Sequence, residues 1–105
     1  MSSIAILTGA SSGIGATAAR RFVDNGDTVI NISRKTCPVA GVESLPTDFA
    51  DKSSVASTCG QLIERLASHE GSPICLVHNA ALMLKDRCDT TEDDDLRQVL
   101  AVNVV

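Results

Sequence analysis

A glycine-rich stretch near the N-terminus constrains the fold more than any other part of the chain. Residues 8–15 read Thr-Gly-Ala-Ser-Ser-Gly-Ile-Gly, between an apolar run at residues 4–7 and a helical pattern at residues 16–23. A strand, a glycine-rich turn and a helix in this order aim backbone N–H groups and the positive end of a helix dipole at an anion. A plain loop is the alternative interpretation, and the preceding strand argues against it.

Each glycine of this stretch has a physical reason, and their spacing indicates a family. Gly9 allows the tight turn, Gly13 lets the backbone approach a pyrophosphate, and Gly15 lets the helix pack closely on the sheet. The spacing G-x-x-x-G-x-G, with Thr8 before it and Ile14 inside it, resembles the T-G-x-x-x-G-I-G motif of the short-chain dehydrogenase/reductase family. The resemblance implies that a nicotinamide dinucleotide contacts Thr8, Gly9, Ser11, Ser12, Gly13, Ile14 and Gly15.

The hydrophobic pattern and this resemblance together predict an incomplete α/β fold. We expect a Rossmann-like doubly wound parallel sheet of about four strands in the order 3-2-1-4, with residues 1–105 as the N-terminal dinucleotide-binding portion of the family's domain. The strands are predicted at about residues 3–8, 28–32, 42–45 and 74–77, and the helices at 13–25, after Asp51 and from Thr91. Two predicted buried helix faces comprise Ile14, Ala18, Ala19, Phe22 and Val23, and Val55, Cys59, Leu62, Ile63 and Leu66.

The end of the second predicted strand bears on the choice of cofactor. In the general dinucleotide-binding fold an acidic residue at this place bonds the ribose 2′-hydroxyl, whereas an Arg accommodates a 2′-phosphate. Here the strand ends in Ser33, Arg34 and Lys35, with two cations and no acid. We therefore predict NADP(H), with NAD as the alternative, and a cofactor contact from Ser33 and Arg34. A solvated loop pair is the other interpretation of Arg34 and Lys35.

Two further segments resemble cofactor-contacting motifs of the family. Asp48 and Phe49 follow the third strand, where the family has an Asp that accepts from the adenine amino group; a turn or cap role for Asp48 is the alternative. His78-Asn79-Ala80-Ala81 is similar to the family's N-N-A-G, with His78 and Ala81 as departures. The resemblance implies that Asn79 steadies the central strands and that Ala80 and Ala81 lie near the nicotinamide ribose. For His78 we expect a bond to a neighbouring strand rather than base catalysis.

The family's catalytic residues are represented here by one position. Asn103 resembles the Asn of the Asn-Ser-Tyr-Lys set, which holds a water in the proton relay; a core Asn bonded to backbone is the alternative. The chain has no Tyr, so the family's proton donor for the developing alkoxide is not among these residues. We therefore expect no catalysis from this chain and interpret it as a fragment of a longer reductase. Its fourth strand, apolar and buried on both faces in a complete sheet, would form an edge.

Composition excludes several other functions. The 105 residues carry a net charge of −4, so we expect no nucleic-acid partner. No apolar run reaches the roughly 18 residues of a membrane span, and no signal peptide precedes the first strand. The four cysteines lack C-x-x-C spacing, so we expect no metal site, reduced thiols in a cytoplasmic protein, and Cys59 and Cys75 as small core residues.

Two hypotheses about function remain open from the sequence. In the first, the parent protein is an NADP-dependent oxidoreductase, a homo-oligomer acting on a small alcohol or carbonyl substrate. In the second, the chain is a non-catalytic dinucleotide-binding or sensor module. A Ser and a Y-x-x-x-K motif further along the reading frame would favour the first.

Overall fold

Four strands of the described chain form one parallel sheet. The computed structural model describes residues 3–80 and Arg97. The strands are β1 (Ile4–Thr8), β2 (Thr28–Ser33), β3 (Val42–Pro46) and β4 (Ile74–His78), and the helices are α1 (Gly13–Asp24) and α2 (Lys52–Ala67). The sheet order is β3-β2-β1-β4, all neighbours being parallel. This confirms the Rossmann-like prediction, and each described element lies within two residues of its predicted bounds.

Predictions about the remaining residues lie outside the described part. These are the contact from Ala81, the helix from Thr91 and the role of Asn103.

The register brings the carboxyl ends of three strands to one edge of the sheet. Thr8 in β1 is level with Ile32 in β2 and with His78 in β4. The residues that follow, Gly9, Ser33 and Asn79, therefore lie side by side at this end of the sheet. Ligands of open parallel sheets bind outside the carboxyl ends of the strands, so the topology assembles the predicted motifs at one place.

The two helices cover opposite faces of the sheet because β1 is apolar on both sides. Ala5 and Leu7 belong to one buried cluster, which also includes Ala19 of α1, with Ala18, Phe22 and Val23 packed against it. Ile4 and Ile6 belong to the other, against which Phe49 and α2 residues Leu62 and Leu66 pack. This arrangement makes the sheet doubly wound, as predicted. Neither described helix is long and apolar enough to cross a bilayer.

The ends of the helices follow local rules. At the C-terminus of α1 the N–H of Gly26 donates to the carbonyl of Val23, and that of Asp27 to Phe22. Gly26 has φ +87°, so these two bonds form a Schellman cap. Asp51 caps α2 by accepting the N–H groups of Ser53 and Ser54, and the helix begins directly after Asp51, as predicted.

Several expected burial patterns are wrong. Ile63 is 69% exposed and Cys59 is exposed, while Thr58 is the buried residue of α2. The reason is that Thr58, Leu62 and Leu66, spaced by four, form the narrow face of α2 toward the sheet. In α1, Ile14 is 82% exposed because it lies in the first turn of the helix, where residues 12–14 are all exposed.

β4 has the apolar composition of a strand that is buried on both faces in a complete sheet, but among the described residues it is mostly exposed. Ile74 and Leu76 are more than half exposed, and Cys75 is exposed rather than a core residue. Within the described chain β4 pairs with β1 alone. Its apolar sequence therefore predicted a strand correctly, but burial depends on neighbouring elements that the sequence of the strand does not specify. Among the described residues β4 is thus the apolar edge strand that we expected for a four-stranded sheet.

Candidate functional site

The glycine turn presents a row of backbone donors. Gly9 and Gly13 have φ values of +74° and +58°, and Ser12 is the extended N-cap of α1, with no hydrogen bond from its side chain to the helix. In residues 3–80, the N–H groups of residues 11–15 have no protein acceptor, whereas that of Ala10 has one and that of Ala16 donates to Ser12. Five consecutive N–H groups at a helix N-terminus are suited to bind an anion.

Gly13 leaves the approach to these donors open. A Cβ atom built on Gly13 would meet nothing within 4 Å. No carboxylate lies in the first turn of α1, so no acidic side chain of that turn repels an anion there. Ser12, Gly13 and Ile14 are exposed and Ser11 is half-buried. The turn therefore has the donors and the space that a pyrophosphate needs.

Gly9 and Gly15 are required by contacts inside the turn. A Cβ on Gly9 would lie 2.8 Å from Cα of Ala80, and one on Gly15 would lie 2.3 Å from the carbonyl oxygen of Gly9 and 2.7 Å from Nδ2 of Asn79. Gly15 therefore lets the first turn of α1 lie close to the glycine turn and to Asn79. This is the position at which the glycine spacing predicted close packing of the helix. Side chains at either position would displace backbone atoms.

Thr8 joins the ends of β1 and β4. Its hydroxyl oxygen accepts the N–H of Asn79 at 3.0 Å and that of Ala80 at 3.1 Å. The side-chain amide of Asn79 donates to the carbonyl of Gly9 at 3.1 Å. Thr8 is 4% exposed. Its buried hydroxyl group therefore fixes the end of β4 beside the start of the glycine turn. Asn79 holds the two strands together, as the resemblance implied.

The cation-bearing loop after β2 lies at the same edge. Arg34 and Lys35 are exposed, and neither side chain has a hydrogen-bond or ion-pair partner among the described residues. Ser33 is 6% exposed, and its hydroxyl donates to the carbonyl of Lys35 at 2.5 Å. The guanidinium of Arg34 is therefore available to a ligand, while the hydroxyl proton of Ser33 is engaged within the protein.

Asn31 is a buried polar residue of this region that sequence reasoning missed. It is 0% exposed in β2, and its Oδ1 accepts the N–H of Ala10 at 2.9 Å. The signal in the sequence is an Asn between Ile30 and Ile32 in a strand of apolar residues, since a buried amide needs partners.

The remaining predicted contacts lie further along the chain. Asp48 is exposed and its Oδ1 accepts the N–H of Ala50 at 3.0 Å, which is the turn geometry left open as an alternative. Phe49 packs against the apolar cluster under α2. His78 is exposed and pairs with Thr8 of β1 through the backbone alone; among residues 3–80 its side chain makes no hydrogen bond, so the expected side-chain bond to a neighbouring strand is not found there. Within residues 3–80 no group of three or more metal-ligating side chains occurs.

The sheet order, the helices on both faces and the glycine turn define an α/β protein with a Rossmann-like fold. Residues 3–105 match the sequence model of the short chain dehydrogenase family. The chain belongs to the short chain dehydrogenase family.

Individual relatives agree with this assignment. Short chain aldehyde dehydrogenase 1 of Euphorbia lathyris is 28% identical over 109 residues, an alignment covering 96% of this chain and 38% of that protein. The ligand-free aldohexose dehydrogenase of Thermoplasma acidophilum superposes with a TM-score of 0.79 at 29% identity, covering 97% of this chain and 38% of that one.

A third relative carries a nucleotide. A short-chain oxidoreductase from Brucella ovis, in complex with a partially ordered NAD, gives a TM-score of 0.84 at 26% identity, over 99% of this chain and 52% of that one. The chain thus spans between 38% and 52% of the length of these three relatives.

Proposed function

We propose that these residues are the NADP(H)-binding portion of a short-chain oxidoreductase. The observation that carries the proposal is the row of five N–H groups at residues 11–15 without a protein acceptor, at the edge where Arg34 is exposed. The pyrophosphate would lie on the turn, since fixed backbone dipoles at a helix N-terminus favour an anion.

Preference for the phosphorylated nucleotide would come from Arg34. A guanidinium offers planar, paired donors that match a phosphate, and this one stands beside a second cation, Lys35, with no acid next to them. A carboxylate at this place, by contrast, would accept from a 2′-hydroxyl and repel a 2′-phosphate. The Brucella ovis relative was solved with NAD, the nucleotide without the 2′-phosphate. The relative affinities for NADPH and NADH are therefore the first quantities to measure.

The adenine and nicotinamide ends of the nucleotide would meet other parts of the same edge. Asp48 keeps Oδ2 free of protein partners within residues 3–80, so this oxygen is available to an adenine amino group. Asn79 and Ala80, together with Ala81, would lie near the nicotinamide ribose. Asn103 would hold a water of the proton relay.

The whole protein would transfer a hydride between the nicotinamide and an alcohol or carbonyl substrate. Reduction of a carbonyl takes a hydride at carbon and a proton at oxygen. The family's proton donor is a Tyr, and the 105 residues contain none, so this chain would bind nucleotide without turning over substrate. For the whole protein we also propose a small-molecule substrate, a homo-oligomeric state and a cytoplasmic location.

The test is nucleotide binding by the 105-residue chain. NADPH fluorescence is free of protein emission because the chain has no Trp and no Tyr. We expect tighter binding of NADPH than of NADH, and Arg34→Ala to weaken NADPH binding by about tenfold, the value of a lost charge-assisted hydrogen bond. NADH affinity should stay unchanged in this variant.

Arg21→Ala is the matched control, because Arg21 is exposed in the last turn of α1, at the end away from the glycine turn. It removes the same charge and should leave both affinities unchanged. Binding of neither nucleotide would overturn the proposed site. Equal affinities for NADPH and NADH, or an equal loss in both arginine variants, would overturn the preference for NADP.

A further inference from the structure

We propose that Asn31 is a positioning residue that joins the glycine turn to the Arg34 loop and so sets the preference between NADPH and NADH. This inference rests on the proposed function. It goes beyond it by assigning the preference to a residue that contacts no nucleotide.

The side-chain oxygen of Asn31 binds the backbone at the start of the glycine turn. Its Oδ1 accepts the N–H of Ala10 at 2.9 Å. Ala10 is itself fully buried and directly precedes the five unpaired N–H groups of residues 11–15. Asn31 therefore determines where the row of free donors begins and how it is oriented.

The side-chain nitrogen of Asn31 binds the residues on either side of Arg34. Three acceptors share the two hydrogens of Nδ2: Oγ of Ser33 at 2.9 Å, Oγ of Ser44 at 3.1 Å and the carbonyl of Lys35 at 3.3 Å. Ser33 and Lys35 are the two neighbours of Arg34 in the chain. The backbone that carries the guanidinium is thus tied on both sides of Arg34 to one buried side chain.

A second set of bonds makes the network rigid. The hydroxyl of Ser33 donates to the carbonyl of Lys35, and the hydroxyl oxygen of Ser44 accepts the N–H of Cys37 at 3.0 Å. Within the described residues no buried side-chain nitrogen or oxygen lacks a partner. A fully satisfied buried network specifies one arrangement, because any displacement leaves a polar group unpaired.

The geometry also explains why the residue is an amide. A planar carboxamide accepts on one side and donates on the other. Ala10 presents a donor, while Lys35 presents an acceptor, and the two serine hydroxyls serve as acceptors here. Leu would fill a similar volume without either function, and Asp would accept from Ala10 but could not donate to Lys35.

The experiment measures NADPH and NADH affinities of the 105-residue chain for Asn31→Leu and Ser44→Ala. Asn31→Leu frees both turn and loop, so both affinities should fall, that for NADPH about fivefold more than that for NADH, about the value of one hydrogen bond. Ser44→Ala loosens only the loop and keeps the bond from Asn31 to Ala10. It should lower NADPH affinity about threefold and leave NADH affinity unchanged.

A matched control and a double variant separate positioning from general destabilisation. Thr58→Val also removes a buried hydroxyl bond, between Thr58 and Thr47, and should leave the ratio of the two affinities unchanged. If Asn31 and Ser44 act through Arg34, Ser44→Ala should have no further effect on the ratio in an Arg34→Ala background. Circular dichroism verifies that each variant is folded, and Ser44→Ala keeps the test decisive if Asn31→Leu does not fold.

The failures are distinguishable. An unchanged ratio in Ser44→Ala and in any folded Asn31→Leu, with the wild-type chain preferring NADPH, would overturn this inference and leave the proposed function standing. Equal wild-type affinities would remove the preference and the inference with it. Binding of neither nucleotide would overturn the proposed function itself.

Discussion

The carbonyl oxygen of Gly9 lies against Gly15, so that a Cβ atom on Gly15 would come within 2.3 Å of it. The same oxygen accepts the side-chain amide of Asn79 at 3.1 Å. The turn after β1, the first turn of α1 and the end of β4 therefore meet at one carbonyl group. Because of this contact, the conformation of Gly9 and the absence of a side chain at Gly15 depend on each other. Together they allow the N-terminus of α1 to lie close to the end of β1.

Replacement of Gly15 by Ala should destabilise the fold. The added methyl group would displace backbone atoms of Gly9 and Ala10 and the amide of Asn79, and overpacking of this kind costs about 1–3 kcal/mol. Urea denaturation followed by circular dichroism would measure the loss. A variant as stable as the wild-type chain would contradict the close approach.

Thr8→Val should be destabilising because it removes a shared acceptor. Val has the shape of Thr, but it would leave the N–H groups of Asn79 and Ala80 without the bonds they now make. Both donors are half-buried, so the loss of each hydrogen bond costs about 1 kcal/mol. Thr8→Ser keeps the hydroxyl and should recover most of the stability in the same denaturation assay. Equal losses in the two variants would mean that the methyl group, not the hydroxyl, is important.

The topology and the glycine turn could be predicted because both are encoded locally. Residues 4–7 are apolar in succession, and the turn and helix signals follow at once. Burial in α2 and β4 depended instead on which elements lie beside them. Ile63 and Thr58 illustrate this, since the helical pattern is apolar at the first position and the sheet lies against the second.

The motifs predicted which candidate residues the fold would group together. The turn, Asn79 and Arg34 lie at one edge of the sheet because parallel strands end there together. The network around Asn31 joins Ala10, Ser33, Lys35 and Ser44, which are 2 to 21 positions away from it. A spacing pattern could not show it, because its bonds depend on the register of β2 against its neighbours.

Gly60→Ala should stabilise the chain. Gly60 lies inside α2, has helical backbone geometry, and a Cβ atom there would meet nothing within 4 Å. Ala lowers the conformational entropy of the unfolded chain and favours a helix interior by about 0.5–1 kcal/mol. A higher urea midpoint with unchanged nucleotide affinity is the expected result, in contrast to Gly15→Ala. A lower midpoint would show that the open space is occupied.

Asp27 should make the stability of the chain depend on pH in the acid range. The side-chain amide of Asn25, followed by the hydroxyl and backbone N–H of Ser3, donates to the carboxylate and lowers the pKa of Asp27 below its ordinary value of 3.8. A carboxyl group whose pKa is lower in the folded state stabilises it above the unfolded pKa, and this stability is lost as pH falls through the folded pKa.

Asp27→Asn tests this dependence because it removes the ionisable group. At neutral pH the variant should be less stable than the wild-type chain, and the difference should shrink as pH falls below 3.8. Urea denaturation at a series of pH values measures the difference directly. Asn25→Ala removes the first donor alone, so it should give a smaller effect of the same sign. A difference that stays constant or grows toward low pH would mean that Ser3 and Asn25 do not favour the ionised form.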